Sequence, residues 1–134
     1  MEIRGLSCIF PVPDIQKTAD YYVSKLGFRA VEYFDCTEPH ICLYREGCEI
    51  ILLQGNRESV LPNRTLYGYG FDAYIYTDDQ EALEKEFSAK GVKFAKSLTI
   101  AEYGNKEFVV EDIDGRWIAF GLKVDFTMGK KDPT

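Results

Sequence analysis

Residues 14–27 read Asp14-Ile15-Gln16-Lys17-Thr18-Ala19-Asp20-Tyr21-Tyr22-Val23-Ser24-Lys25-Leu26-Gly27. Residues 78–91 read Asp78-Asp79-Gln80-Glu81-Ala82-Leu83-Glu84-Lys85-Glu86-Phe87-Ser88-Ala89-Lys90-Gly91. Laid over each other, Asp14 meets Asp78, Gln16 meets Gln80, Ser24 meets Ser88 and Gly27 meets Gly91. Each stretch opens on an acidic N-cap, Asp14 in one and Asp78 or Asp79 in the other, and closes on a glycine suited to a left-handed C-cap. Between the caps, Ile15, Ala19, Tyr22, Val23 and Leu26 recur at helical spacing, as do Leu83 and Phe87 with Ala82 beside them. Glu81, Glu84, Lys85 and Glu86 cover the solvent side of the second helix. The chain therefore contains a weak internal repeat built on two helices.

The same grammar extends outward from both helices. An apolar strand precedes each one, over 6–12 and 71–77, and each closing glycine leads into another, over 28–34 and 92–95. Two more strands complete each half. In the first they span 41–45 and 49–53, around the turn Glu46-Gly47. In the second they span 106–111 and 117–122, around Asp112-Ile113-Asp114-Gly115, where Asp-Gly is a strong hairpin signal. The polar stretch 55–69, which holds Pro62, reads as a connector, and 125–134 reads as a tail that frays or lies across a neighbour. The expected fold is one α+β domain over 1–134. Two βαβββ modules, about 4–54 and 70–124, form a curved mixed sheet around a concave pocket, and a pocket between duplicated halves is a natural ligand site.

Composition bounds the function. A chain of 134 residues fits one domain, and 46% apolar with 28% charged residues is globular. The net charge of −6, with no basic stripe, argues against nucleic acid and leans towards cationic or neutral ligands. The opening MEIRGLSCIF is too short and polar for a signal peptide, and no apolar run reaches the roughly 20 residues that span a bilayer. A cytoplasmic setting with no membrane partner follows. Cys8, Cys36, Cys42 and Cys48 form no C-x-x-C pair, and His40 is the sole histidine, so a finger- or ribbon-type zinc site is excluded. Most of these thiols read as small buried hydrophobes, reduced in the cytosol.

The stretches Pro11-Val12-Pro13-Asp14-Ile15, Tyr21-Tyr22 and Lys25-Leu26-Gly27-Phe28 resemble the opening of glyoxalase and bleomycin-resistance proteins. Tyr103-Gly104-Asn105-Lys106-Glu107-Phe108 and Asp112-Ile113-Asp114-Gly115-Arg116-Trp117 resemble their closing signature. The chain is thus similar to the vicinal oxygen chelate superfamily along nearly its whole length. That resemblance implies a fold rather than an activity, because the superfamily hosts lyases, dioxygenases, epimerases, thiol transferases and binding proteins. Its enzymes hold a divalent metal on the first and last strands of each half, with His, Glu or Gln. Those positions fall here on Ser7, Ile51, Asp72 and Ala119, of which only Asp72 is a competent ligand. A one-residue slip aims Cys8, Ile50 or Ile118 inward, and a two-residue slip brings in Glu49. The resemblance therefore implies a metal-free, dimeric binding protein akin to bleomycin-resistance proteins, without a cofactor. The alternative is a glyoxalase-type lyase or isomerase that uses Asp72 and Glu49 as an acid/base pair or around a weakly held divalent metal. A third reading is a non-catalytic domain whose cup is filled by its own side chains.

Alternation in that register places Ser7, Ile9, Glu49, Ile51, Asp72, Tyr74, Trp117 and Ala119 on the inner sheet faces. Ser7, Glu49, Asp72, Tyr74, Tyr103 and Trp117 are the expected ligand contacts, with Asp72 and Glu49 the catalytic candidates. Trp117 and Tyr103 are suited to stacking on a planar ligand, and equally to packing on their own strands. For the two carboxylates the plain structural alternative is a salt bridge to Arg45, Lys106 or Arg116. His40 reads as a surface loop residue. Tyr67 and Tyr69, between glycines, read as a lid or as anchors of the connector.

Overall fold

Asp14 caps the first helix as its sequence requires, its Oδ1 accepting from the Lys17 N–H at 3.1 Å. The computed structural model describes residues 2–56, 58 and 61–123. The expectation for the tail 125–134 lies outside the described residues. The chain divides into two compact units, Met1–Leu61 and Pro62–Thr134. The division falls inside the expected connector.

The first unit runs β1 (Ser7–Val12), α1 (Ile15–Leu26), β2 (Arg29–Tyr33), β3 (His40–Arg45) and β4 (Cys48–Gln54). Its four strands are ordered β1-β4-β3-β2, with β1 parallel to β4 and the other pairs antiparallel. Gly27, at φ 75°, lets the backbone turn left-handed so that the Phe28 N–H reaches back to the Tyr22 carbonyl at 3.1 Å. The buried stripe of α1 is Thr18, Ala19, Tyr22 and Leu26. Val23, expected on that stripe, is exposed, because it sits at the stripe's rim where Thr18 takes the opposite flank. Below α1 lie Phe10, Val12, Ile41, Leu43, Ile50 and Leu52, all buried. Tyr22 meets Phe28 edge to face at 5.7 Å.

The second unit runs α2 (Asn63–Tyr67), β5 (Ala73–Tyr76), α3 (Gln80–Ala89), β6 (Lys93–Ile100), β7 (Asn105–Glu111) and β8 (Trp117–Lys123). Its order, β5-β8-β7-β6, repeats the first sheet, again with one parallel pair. Phe87 of α3 lands on Phe108 and Phe120 at ring separations of 6.0 and 5.2 Å, and Phe94 extends the cluster. Such ring pairs add about 0.5–1.5 kcal/mol each beyond the area they bury. Asp112 shapes the β7–β8 turn, accepting from the Asp114 and Arg116 N–H groups at 2.8 and 3.0 Å.

Three local features depart from expectation. The connector contains the short helix α2. Strand β6 runs on to Ile100, beyond the expected 95, with register shifts that absorb the extra length. The N-cap Asp79 makes no side-chain cap, and Thr77 Oγ1 instead accepts the Asp79 N–H at 3.1 Å.

Candidate functional site

Within each unit the helix covers one sheet face, and the strand register fixes which residues occupy the other. In the first unit Ser7, Glu49, Tyr44 and Arg29 form one row across that other face, and Ile9, Ile51, Cys42 and Val31 form the next. Ser7 donates its hydroxyl to Glu49, and Tyr44 is also hydrogen-bonded to Glu49. These two hydroxyls hold the Glu49 carboxyl below the usual carboxylate range, the Ser7 bond contributing most. The same bond to Glu49 pushes the Tyr44 phenol up, so it remains a donor. Arg29 lies over the Tyr44 ring at 4.7 Å. Ile9, 58% exposed, stands beside this polar row. His40 opens β3 rather than lying in a loop, its ring stacked on Tyr33 at 5.0 Å and its Nδ1 2.7 Å from the Glu38 carbonyl.

In the second unit the corresponding face carries Tyr74, Ala119 and Val109 in one row and Tyr76, Gly121 and Glu107 in the next. Trp117 stands at the start of β8. Its indole N–H donates to Glu111 Oε1 at 3.1 Å, and Arg64 of α2 lies over its ring at 4.8 Å. Glu111 also meets Lys93 at 3.1 Å and Arg64 at 3.3 Å. Desolvation pulls its pKa up, but the indole, the ammonium and the guanidinium outweigh it and leave the carboxyl below its usual range.

Asp72 adopts a role that the sequence does not announce. Its Oδ1 accepts from the Asn63 N–H at 2.9 Å and its Oδ2 from the Trp117 N–H at 3.1 Å. It clasps the start of α2 to the start of β8. The salt bridges weighed as the structural alternative for the two candidate carboxylates do not form: Arg45 meets Glu46, Lys106 meets Glu81 and Arg116 meets Asp114. Asp72 and Glu49 belong to different units. Tyr67 and Tyr69 are 70% and 78% exposed, so their rings do not pin the connector by burial. Of the four thiols, only Cys42 is buried, Cys36 is exposed, and Cys8 and Cys48 are intermediate.

The residue that sequence reasoning missed is Glu107. It is fully buried. It accepts from Tyr74 Oη at 2.7 Å, from Tyr103 Oη at 2.6 and 2.5 Å through its two oxygens, and from Lys96 Nζ at 3.1 Å. Asn105 Nδ2 donates to Tyr74 Oη at 2.7 Å. Gly121, paired with Glu107 in register, makes this meeting possible, because a Cβ there would stand 2.6 Å from the Glu107 Cβ and 2.7 Å from Tyr74 Oη. A glycine in mid-strand facing an acidic residue was the available signal.

The four positions at which the superfamily's enzymes hold metal do not fit one. Ile51 and Ala119 carry no donor atom, Ser7 donates to Glu49, and both oxygens of Asp72 hold backbone N–H groups. Among the described residues no three His, Cys, Asp or Glu side chains group as a metal would need.

Paired βαβββ units with this strand order, each sheet carrying its helix on one face, define a class of small α+β proteins. The chain belongs to the Glyoxalase/Bleomycin resistance protein/Dioxygenase superfamily, whose family model matches residues 6–120. The glyoxalase/bleomycin resistance protein/dioxygenase from Alicyclobacillus acidocaldarius shares the fold with a TM-score of 0.72 and 21% identity, over 92% of this chain and 93% of that one. TnmS3, an antibiotic binding protein from Streptomyces sp. CB03234, aligns with a TM-score of 0.70 and 19% identity, over 92% and 99%. TioX from Micromonospora sp. ML1 aligns with a TM-score of 0.68 and 16% identity, over 90% and 99%. No curated protein matches the sequence at a significant level. No helix among the described residues is long and apolar enough to cross a membrane.

Proposed function

We propose that the protein binds a small organic molecule, cationic or aromatic, without a metal, and acts by sequestering it. The observation that carries this reading is the chemistry of the family's metal positions: two lack a donor atom, one is the neutral hydroxyl of Ser7, and the last is Asp72, engaged by two backbone N–H groups. The helix-free sheet faces instead offer what a small-molecule site uses, namely rings and apolar side chains with a few oriented polar groups. Ser7 and Glu49 supply an anionic, hydrogen-bonded spot beside Ile9 and Ile51. Among the described residues Glu49 has no ion-pair partner, which suits a cationic group. Tyr74, Tyr103 and Trp117 supply rings, and Asp72 holds the Trp117 backbone N–H. The antibiotic binding of TnmS3 agrees in kind, though that likeness itself is one of fold.

A lyase or isomerase reaction would draw on Asp72 or Glu49 as a base, and the hydrogen bonds that hold the Glu49 carboxyl below its usual range make it a weaker one, which favours binding ahead of proton transfer. We further place the protein in the cytoplasm as a homodimer. The unpaired cysteines support the first, and the exposed Leu66, Tyr67, Tyr69 and Tyr76 support the second.

The test combines metal analysis with thermal melts under Ni²⁺, Zn²⁺, Mn²⁺ and Mg²⁺, and under proflavine, anthraquinone-2-sulfonate and cyclohexylamine. A ligand specific for the native state at a hundred times its Kd stabilises by about 2.7 kcal/mol, a readable shift. The proposal expects a shift with a planar compound and none with the metals. A stoichiometric metal that raises the melting temperature would overturn it.

A further inference from the structure

We infer that Glu107 is a positioning residue, a buried carboxylate that fixes the rings of Tyr74 and Tyr103 against the helix-free sheet face of the second unit. The inference rests on the reading above only in so far as that face meets a ligand.

A buried carboxylate is costly, and an apolar side chain would fill the same space with less penalty. Glu107 is nevertheless fully buried, and its carboxylate accepts from three side chains. It joins three separate segments of the unit. Tyr74 comes from β5, Lys96 from β6 and Tyr103 from the turn between β6 and β7. Asn105 settles the direction of the Tyr74 hydroxyl. Tyr74 Oη accepts the amide N–H, so its own proton points to Glu107. Tyr103 has one proton to give and shares it between the two carboxylate oxygens. The residue remains 46% exposed although its hydroxyl is anchored.

The turn that bears Tyr103 has few other ties. The Ala101 N–H meets the Asn105 carbonyl at 2.8 Å and the Gly104 N–H meets the Ala101 carbonyl at 2.9 Å. Burial first, and Glu107 with it, raises both phenols, so they persist as donors at neutral pH. The network thus consumes both hydroxyls and leaves two oriented rings, a pre-organised surface on which a planar molecule loses little freedom in docking.

The test uses the full chain as wild type, Glu107→Gln and Tyr103→Phe. Amide exchange at Ala101 and Gly104 is compared with that at Phe108, Val109 and Val110, phenol ionisation is followed at alkaline pH, and proflavine and anthraquinone-2-sulfonate binding is measured. We expect both variants to lose protection selectively at Ala101 and Gly104. Glu107→Gln should shift the late phenols to lower pH, and planar-probe affinity should fall roughly tenfold. Unchanged exchange at the turn, or an equal loss over the whole sheet, would overturn the inference, as would unchanged affinity in Glu107→Gln where the wild type binds. If the wild type binds neither probe, the ligand reading fails. Exchange and phenol ionisation then decide alone whether Glu107 fixes the two rings. Should Glu107→Gln not fold, Tyr103→Phe, which removes one hydroxyl, carries the exchange test.

Discussion

The phenol of Tyr74 occupies the space that a side chain at Gly121 would need: a Cβ built on Gly121 stands 2.7 Å from Tyr74 Oη. The same Cβ would stand 2.6 Å from the Lys106 carbonyl oxygen, which is backbone and cannot swing away. Gly121→Ala should therefore destabilise by about 1–3 kcal/mol, the usual range for overpacking. Adding Tyr74→Phe to Gly121→Ala should recover only part of that, since the backbone clash persists. Urea unfolding of the single and double variants measures both numbers, and full recovery would show that the phenol alone sets the cost.

Asp72 acts as a cap supplied from outside its helix. Pro62, at the N-cap of α2, has no side chain able to accept a hydrogen bond, and Asp72 Oδ1 takes the Asn63 N–H in its stead. Its other oxygen takes the Trp117 N–H. Asp72→Ala leaves two backbone donors without this partner, at roughly 1–3 kcal/mol for each one left buried. We expect a lowered melting temperature, faster amide exchange at Asn63 and Trp117, and a change in Trp117 fluorescence. Asp72→Asn, which keeps one carbonyl oxygen, should lose less. A variant as stable as the wild type would return Asp72 to the list of groups available for chemistry.

These two sites show where the sequence is legible and where it is not. The helices α1 and α3 announce themselves because their signals are local, with Asp14 opening and Gly27 closing a stripe that includes Ala19, Tyr22 and Leu26. That Ser7 and Glu49 lie on inner sheet faces follows from alternation in the family register, whereas their pairing across β1 and β4 is set by the strand register. Helix α2 does not announce itself, because its cap lies beyond its own end, in Asp72. Glu107 hides for a related reason. In the strand segment Lys106-Glu107-Phe108-Val109-Val110-Glu111 it reads as one more outward charge, and only Tyr74, Lys96 and Tyr103, brought in by three other segments, make its burial tolerable. The salt bridges that offer the alternative reading of Asp72 and Glu49 fail on the same ground. Sequence supplies the charges, but register decides which of them meet.

The thiols should differ in reactivity. Cys36 is exposed, whereas Cys48 is partly buried, and burial first and then Cys8 push its pKa up to about 11. The thiolate is the nucleophile, so at pH 7.5 Cys48 is almost wholly in its unreactive form. Iodoacetamide should label Cys36 first and leave Cys48 and the buried Cys42 untouched until the protein unfolds. Peptide mapping over time reads the order, and early labelling of Cys48 would show that its burial is not maintained in solution.

Glu49 links acid stability to Ser7. Its folded pKa is depressed from the ordinary 4.5, chiefly by the Ser7 hydroxyl and next by Tyr44. A carboxyl depressed on folding stabilises the native state above its unfolded pKa, and that stabilisation is lost as pH falls through the lower folded value. Ser7→Ala removes the larger cause, so the Glu49 pKa should rise towards 4.5, read directly by carboxyl carbon NMR. Above pH 5 the variant should lack the stabilisation that the bond supplies, and the deficit relative to wild type should shrink as pH drops below 4.5 and both proteins protonate this carboxyl. A deficit that stays constant across that range would mean that Ser7 acts through packing, and that the charge on Glu49 is held by Tyr44 alone.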